Sequence, residues 1–144
     1  MANYQHILLA TDFSDESERV VNKAIELVQQ NGARLSLIHI VEYTGTIYTG
    51  EIPLPETLDI DQELAAQAEA KLKSMNEEKN LGATSHVEIG IPKKEITRIA
   101  EENGVDLIVI GSHGKHGLQL LLGSTANGVL HLAKCDVLAV RVEK

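Results

Sequence analysis

Tryptophan is absent, and one phenylalanine and three tyrosines supply the whole aromatic content, 3% of 144 residues. The core must therefore be aliphatic. A single cysteine excludes a disulfide scaffold and a cysteine-rich metal site. No run approaches the about eighteen apolar residues that a membrane helix needs. None of the six histidines stands in an HExxH pattern. Basic side chains are scarce: thirteen Lys and Arg against twenty-one Asp and Glu leave a formal charge of -8. Such a surface repels nucleic acid and anionic membranes, so neither is an expected partner. The opening Met-Ala-Asn-Tyr lacks the basic flank and apolar run of a secretory signal, so a cytoplasmic location is expected.

The hydrophobic fraction is 43% and the charged fraction 24%, which excludes wholesale disorder. The length predicts one domain over 1–144, able to bury about two thirds of its unfolded surface. Residues 5–11 (QHILLAT) read as a buried strand, and 34–41 (RLSLIHIV) as a second. Between them Val20, Val21, Ala24, Ile25, Leu27 and Val28 give a helix over 15–31 one apolar face. Ser14 is its candidate cap and Gly32 its stop. The stretch 43–57 is rich in Thr, Gly and Pro, has no period, and reads as a long loop. A second helix is predicted over 59–80, with a stripe of Leu64, Ala65, Ala68, Leu72 and Met75 and a stop at Gly82. Asp59, Asp61 and Glu63 would stabilise its amino terminus.

Residues 84–89 predict a less apolar, edge strand. Pro92 suits the first turn of a helix over 92–103, with Ile96, Ile99 and Ala100 inward and Gly104 closing it. Residues 106–111 (DLIVIG) form the clearest strand. A glycine-punctuated segment, 111–123, leads to a helix over 124–133 and a last strand over 136–142. Gly128 inside that helix costs about 1 kcal/mol relative to Ala and hints at close packing. Near-continuous aliphatic strands alternating with helices specify an α/β fold: a parallel sheet, helices on both faces, right-handed crossovers.

In such sheets ligands lie beyond the carboxyl ends of the strands, where strand order reverses. Three segments fall there. Ala10-Thr11-Asp12 ends the first strand; Asp12 can hold a ribose or cap the next helix. Gly111-Ser112-His113-Gly114 follows the fourth strand; its glycines allow positive φ and close approach, and successive amides can form an anion nest. Gly123-Ser124-Thr125 sets amides and hydroxyls at a helix start, a ready phosphate site. The alternative is a tight turn and an ordinary cap. Lys115 and His116 can lend charge or face solvent. His39 reads as a satisfied histidine, and Cys135 as a structural thiol without an assignable base. No nucleophile–base–orienter set supports an enzyme. Asp12 with a bound Mg²⁺ is the one arrangement open to slow nucleotide hydrolysis.

HILLATDFSDES at the start and DLIVIGSHGKHGLQLLLGSTANGVLHLAKCDVLAV at the end together resemble the universal stress protein family, and the likeness runs over essentially the whole chain. The resemblance implies an adenine nucleotide alpha-hydrolase-like, Rossmann-like fold with five parallel strands in the order 3-2-1-4-5. It implies a homodimer through the last strand, and it leaves protein partners unspecified. The implied ligand is ATP or AMP, with Mg²⁺. The family's nucleotide binders carry G-x2-G-x9-G-[ST]. Gly111, Gly114, Gly123 and Ser124 match its fixed positions, Asp12 matches the ribose carboxylate, and Val41 matches the backbone that meets adenine. Gly114, Gly123, Ser124 and Thr125 would surround the phosphates. Between Gly114 and Gly123, however, stand eight residues, 115–122, rather than nine. That spacing, and YTGTIYTGEIP at 43–53, resemble the universal stress protein A branch, which is generally regarded as lacking ATP binding. Glycines at all three sites favour retained adenine-nucleotide binding. A dimer acting through protein contacts without nucleotide, and a slow ATPase, are the alternatives.

Overall fold

A computed structural model describes residues 3–14, 16–42, 55–112 and 123–141, with 55–59 as backbone only. Among the described residues nine elements alternate: β1 (His6–Ala10), α1 (Ser17–Asn31), β2 (Arg34–Val41), α2 (Pro55–Glu78), β3 (Thr84–Ile89), α3 (Pro92–Glu102), β4 (Leu107–Gly111), α4 (Ser124–Leu132) and β5 (Asp136–Val140). The strands form one parallel sheet in the order β3-β2-β1-β4-β5. β1 is central, and the chain adds strands first on one side of it and then on the other. The order therefore reverses between β1 and β4, as expected.

Alternation along the strands sorts the core into two layers. Leu8, Ala10, Ile38, Ile40, Ile108 and Ile110 face α3 and α4, meeting Ile96, Ile99, Ala126 and Val129. Ile7, Leu9, Leu35, Leu37, Leu107 and Val109 face the other way, onto Val20, Val21 and Ala24 of α1 and Leu72 of α2. Ile7, Leu8, Leu9, Leu37, Ile38, Ile108 and Val109 have no exposed surface. Burying each such side chain is worth about 1.5–3 kcal/mol, so β1, β2 and β4 form the rigid floor of any site at their ends.

Three helices stop by the same device. Gly32, Asn80 and Gly104 adopt positive φ (64°, 52° and 67°). The next residues, Ala33, Leu81 and Val105, donate their amides back to Val28, Asn76 and Ala100. This is the Schellman arrangement. It moves the stop of α2 from the expected Gly82 to Asn80.

Other boundaries also differ. α2 begins at Pro55, so 55–57 belong to a helix rather than a loop; 43–54 lie outside the described residues. Asp59, Asp61 and Glu63 thus sit past the first turn, and Asp61 is buried. Leu64, expected in the α2 stripe, is exposed, whereas Ala68 and Leu72 are buried as expected. Ser14 does not cap α1: Glu16 occupies the cap position and no side chain bonds there. β5 ends at Val140, leaving Arg141 exposed beyond it. β3 is an edge strand, as its composition predicts. Gly128 is buried where α4 meets α3: a Cβ there would lie 2.9 Å from Lys93 Cβ and closer still to Lys93 Cδ.

Candidate functional site

The crevice at the reversal point is built from the tail of β1. The Thr11 amide donates to the Ile38 carbonyl at 3.0 Å, prolonging the ladder by one residue. The chain then turns on its own side chains. The Phe13 amide donates to Thr11 Oγ1 (3.1 Å), and the Ser14 amide donates to Asp12 Oδ1 (2.9 Å). These are Ser/Thr- and Asx-type turns, and they hold Asp12 half-buried at the strand's end. Phe13 takes φ of 60°, a left-handed conformation costly for an aromatic residue. Asp12 therefore organises the turn before α1 rather than capping the helix.

Beside it, His39 Nδ1 lies 2.8 Å from the Thr11 carbonyl. A carbonyl only accepts, so Nδ1 carries the proton. The Phe13 ring lies against the His39 imidazole, and Lys71 Nζ stands 5.2 Å from the Phe13 ring centre. Phe13 and Lys71 were not anticipated. Phe13 follows Asp12 in a turn whose φ no sequence pattern announces, and Lys71 arrives from α2 by tertiary packing alone. Val41 ends β2, buried, and its carbonyl accepts the Gly90 amide at 2.9 Å.

Continuing the β1–β4 register brings Thr11 alongside Gly111. Gly111 is the last residue of β4, paired with Val140, and so belongs to the ladder rather than to a turn. The Ser112 amide donates to the Val140 carbonyl at 2.8 Å, and the Ser112 carbonyl accepts the Gly123 amide at 2.6 Å. That second bond ties the start of α4 to the end of β4. Gly123 is the N-cap, with φ −62° and ψ 154°, a conformation open to any residue. Its carbonyl accepts the Asn127 amide (2.9 Å), the first bond of the helix. The amides of Ser124, Thr125 and Ala126 belong to the helix's first turn, which has no partner within the helix. Ser124 is exposed and Thr125 half-buried.

The structure thus brings Ala10, Thr11, Asp12, Gly111, Ser112, Gly123, Ser124 and Thr125 to one end of the sheet, with Val41 one strand away. His113, Gly114 and 115–122 lie outside the described residues. The Gly123 amide, expected on a phosphate, is used inside the fold. The remaining α4 amides and two hydroxyls suit an anion, and Asp12 suits a ribose. Among the described residues no group of three or more His, Cys, Asp or Glu could hold a metal ion. Mg²⁺ is commonly held by one or two carboxylates plus the phosphates of its nucleotide, so it would enter with that ligand. Cys135 is half-buried, and burial raises its thiol pKa, ahead of the nearby Asp136 and Asp106. That favours the unreactive thiol.

The profile of the universal stress protein family matches residues 3–141. The chain belongs to the universal stress protein family. Universal stress protein A homolog 2 of Coxiella burnetii is 42% identical over 145 residues, 99% of each chain. Among solved structures, protein MJ0577, from Methanocaldococcus jannaschii, superposes with a TM-score of 0.83 at 28% identity, covering 99% of each chain. A universal stress protein solved in complex with cAMP superposes with a TM-score of 0.65 at 26% identity, covering 99% of this chain and 100% of that one. Among the described residues no helix is long and apolar enough to cross a membrane.

Proposed function

We propose that residues 1–144 form one universal stress protein domain of the adenine nucleotide alpha-hydrolase-like kind, a cytoplasmic stress-response protein that binds an adenine nucleotide between β1 and β4. The carrying observation is the 2.6 Å bond from the Gly123 amide to the Ser112 carbonyl, which fixes the amino end of α4 beside the tail of β1. Asp12 takes the ribose, Val41 borders the adenine, and Ser124 and Thr125 take the phosphates; Gly114, the other expected phosphate contact, lies outside the described residues. A structural relative solved in complex with cAMP supports an adenine nucleotide as the class of ligand. The role in this reading is binding of the nucleotide rather than its turnover.

The experiment is calorimetric titration with ATP, AMP and cAMP, each with and without Mg²⁺. Saturable binding that Asp12→Ala weakens supports the reading, and its absence overturns it. The eight-residue 115–122 spacing favours a second reading, a dimer without nucleotide. β5 supports the dimer in either case. It is an edge strand with Val137, Leu138 and Ala139 only half-buried, and a second copy laid along it would cover that edge. Sedimentation with and without ATP separates the two readings.

A further inference from the structure

At the opposite, amino end of the sheet lies a cleft of about 260 Å³ between the starts of β1, β2 and β3. Arg34, His6, His86, Ser36 and Thr84 supply its polar side, and Val28, Leu35 and Leu81 its apolar side. We propose that this cleft is a second ligand site, for a small organic monocarboxylate that sets its carboxylate on Arg34 and its apolar body against Val28, Leu35 and Leu81.

The argument begins with His6. It is buried and held at both nitrogens: Nδ1 lies 3.1 Å from the Asn103 carbonyl, and Nε2 2.7 Å from Ser36 Oγ. The Asn103 carbonyl requires the proton on Nδ1, so Nε2 accepts from the Ser36 hydroxyl. Arg34 Nη2 lies 3.4 Å from that same Nδ1, which has no lone pair to offer it. Arg34 makes no ion pair among the described residues. Asp106, at this end of the sheet, accepts the amides of Gln5 and His6 at 2.9 and 3.0 Å rather than pairing with Arg34. In a chain of charge -8, a cation thus faces a cleft with its counter-charge still to be supplied.

The cleft also sets the class of ligand. Arg34 is its one permanent charge. His6 is committed internally, and burial favours the neutral form of His86, helped by His6 and opposed by Glu88. One guanidinium matches one carboxylate through its fork. A single permanent positive charge facing an aliphatic wall suits a singly charged ligand with an apolar body better than a doubly charged phosphate ester. The site stands independently of the nucleotide crevice, at the other ends of the same strands.

The test is a titration of the full chain with sodium benzoate, read by NMR at the His86 imidazole and the Val28 and Leu81 methyls. Saturable shifts are expected at or below about 10 mM. Arg34→Gln should weaken binding at least about tenfold, the usual scale for losing a charge-assisted pair. Arg34 is exposed at a strand's first position, so the variant keeps the fold, which the unchanged spectrum of β1 and β4 verifies. Asp12→Ala should leave benzoate affinity unchanged. No saturation, an equal affinity in Arg34→Gln, or inorganic phosphate binding as tightly as benzoate would each overturn the assignment.

Discussion

Phe13 lies against the imidazole of His39, ring centres 4.5 Å apart and planes tilted by 37°. The contact exists because Phe13 is held at positive φ directly after Asp12. Two opposed terms meet at this residue. The ring gains packing on His39 and Lys71, while the backbone bears a left-handed cost of about 1–2 kcal/mol. Phe13→Ala removes the packing and keeps the cost; Phe13→Gly removes both. The glycine variant should therefore unfold at higher urea than the alanine variant, by about 1 kcal/mol in stability. Equal midpoints would show that the turn carries no strain.

Gly123 separates a backbone role from a ligand role. Its φ and ψ suit any residue, so Gly123→Ala keeps the amide bond to Ser112 and costs less than about 1 kcal/mol at the cap. In the proposed nucleotide reading the phosphates lie against this end of α4, and a Cβ at Gly123 would crowd them. ATP affinity in calorimetry should fall about tenfold or more, with little change in melting temperature. An unchanged affinity would place the phosphates elsewhere.

What was legible in the chain followed from periodicity. The runs ILLA, LSLIHIV and LIVI have no helical spacing, and they are the three central strands. Gly32, Gly104 and Pro92 mark their helix ends because each acts through its own backbone. Less legible was whatever depends on a partner distant in sequence. Asp106 reads as the start of a strand, yet it gathers the amides of Gln5 and His6 across the sheet. Asp61 reads as a helix-end charge but is buried, because α2 starts a turn earlier than its apolar stripe. At the crevice, glycine spacing located Gly111 and Gly123 but not their conformations. Both are extended: Gly111 stands in the β4 ladder, and Gly123 caps α4 with its amide bonded to Ser112.

Gly128 shows the same principle in the core. A helix interior prefers Ala to Gly by about 1 kcal/mol, so Gly128→Ala would stabilise an isolated α4. In the folded chain the new methyl would stand 2.9 Å from Lys93 Cβ, an atom fixed to the α3 backbone. A long side chain's end can swing away, but its Cβ cannot. Overpacking of this kind costs about 1–3 kcal/mol. Gly128→Ala should lower stability in urea titration, and Gly128→Val should lower it further. A gain for Gly128→Ala would mean that α3 yields without cost.

His86 links the amino-end cleft to pH. Burial is the leading cause that lowers its pKa; His6 adds to the effect and Glu88 opposes it. A lowered pKa means that the folded chain binds this proton less readily than the unfolded chain, whose histidine titrates near about 6.5. Between the two values the unfolded state holds more protons, so stability rises with pH. The contribution is therefore fully present above about 6.5 and is lost as pH falls from there through the folded value. In His86→Gln that dependence is absent. Urea midpoints measured at a pH above this window and at one below it should differ more for the natural chain than for His86→Gln. Because Glu88 works in the opposite direction, Glu88→Gln should enlarge the difference in the natural background and leave His86→Gln unaffected by it. Parallel curves for the natural chain and His86→Gln would show that the imidazole is solvated in both states.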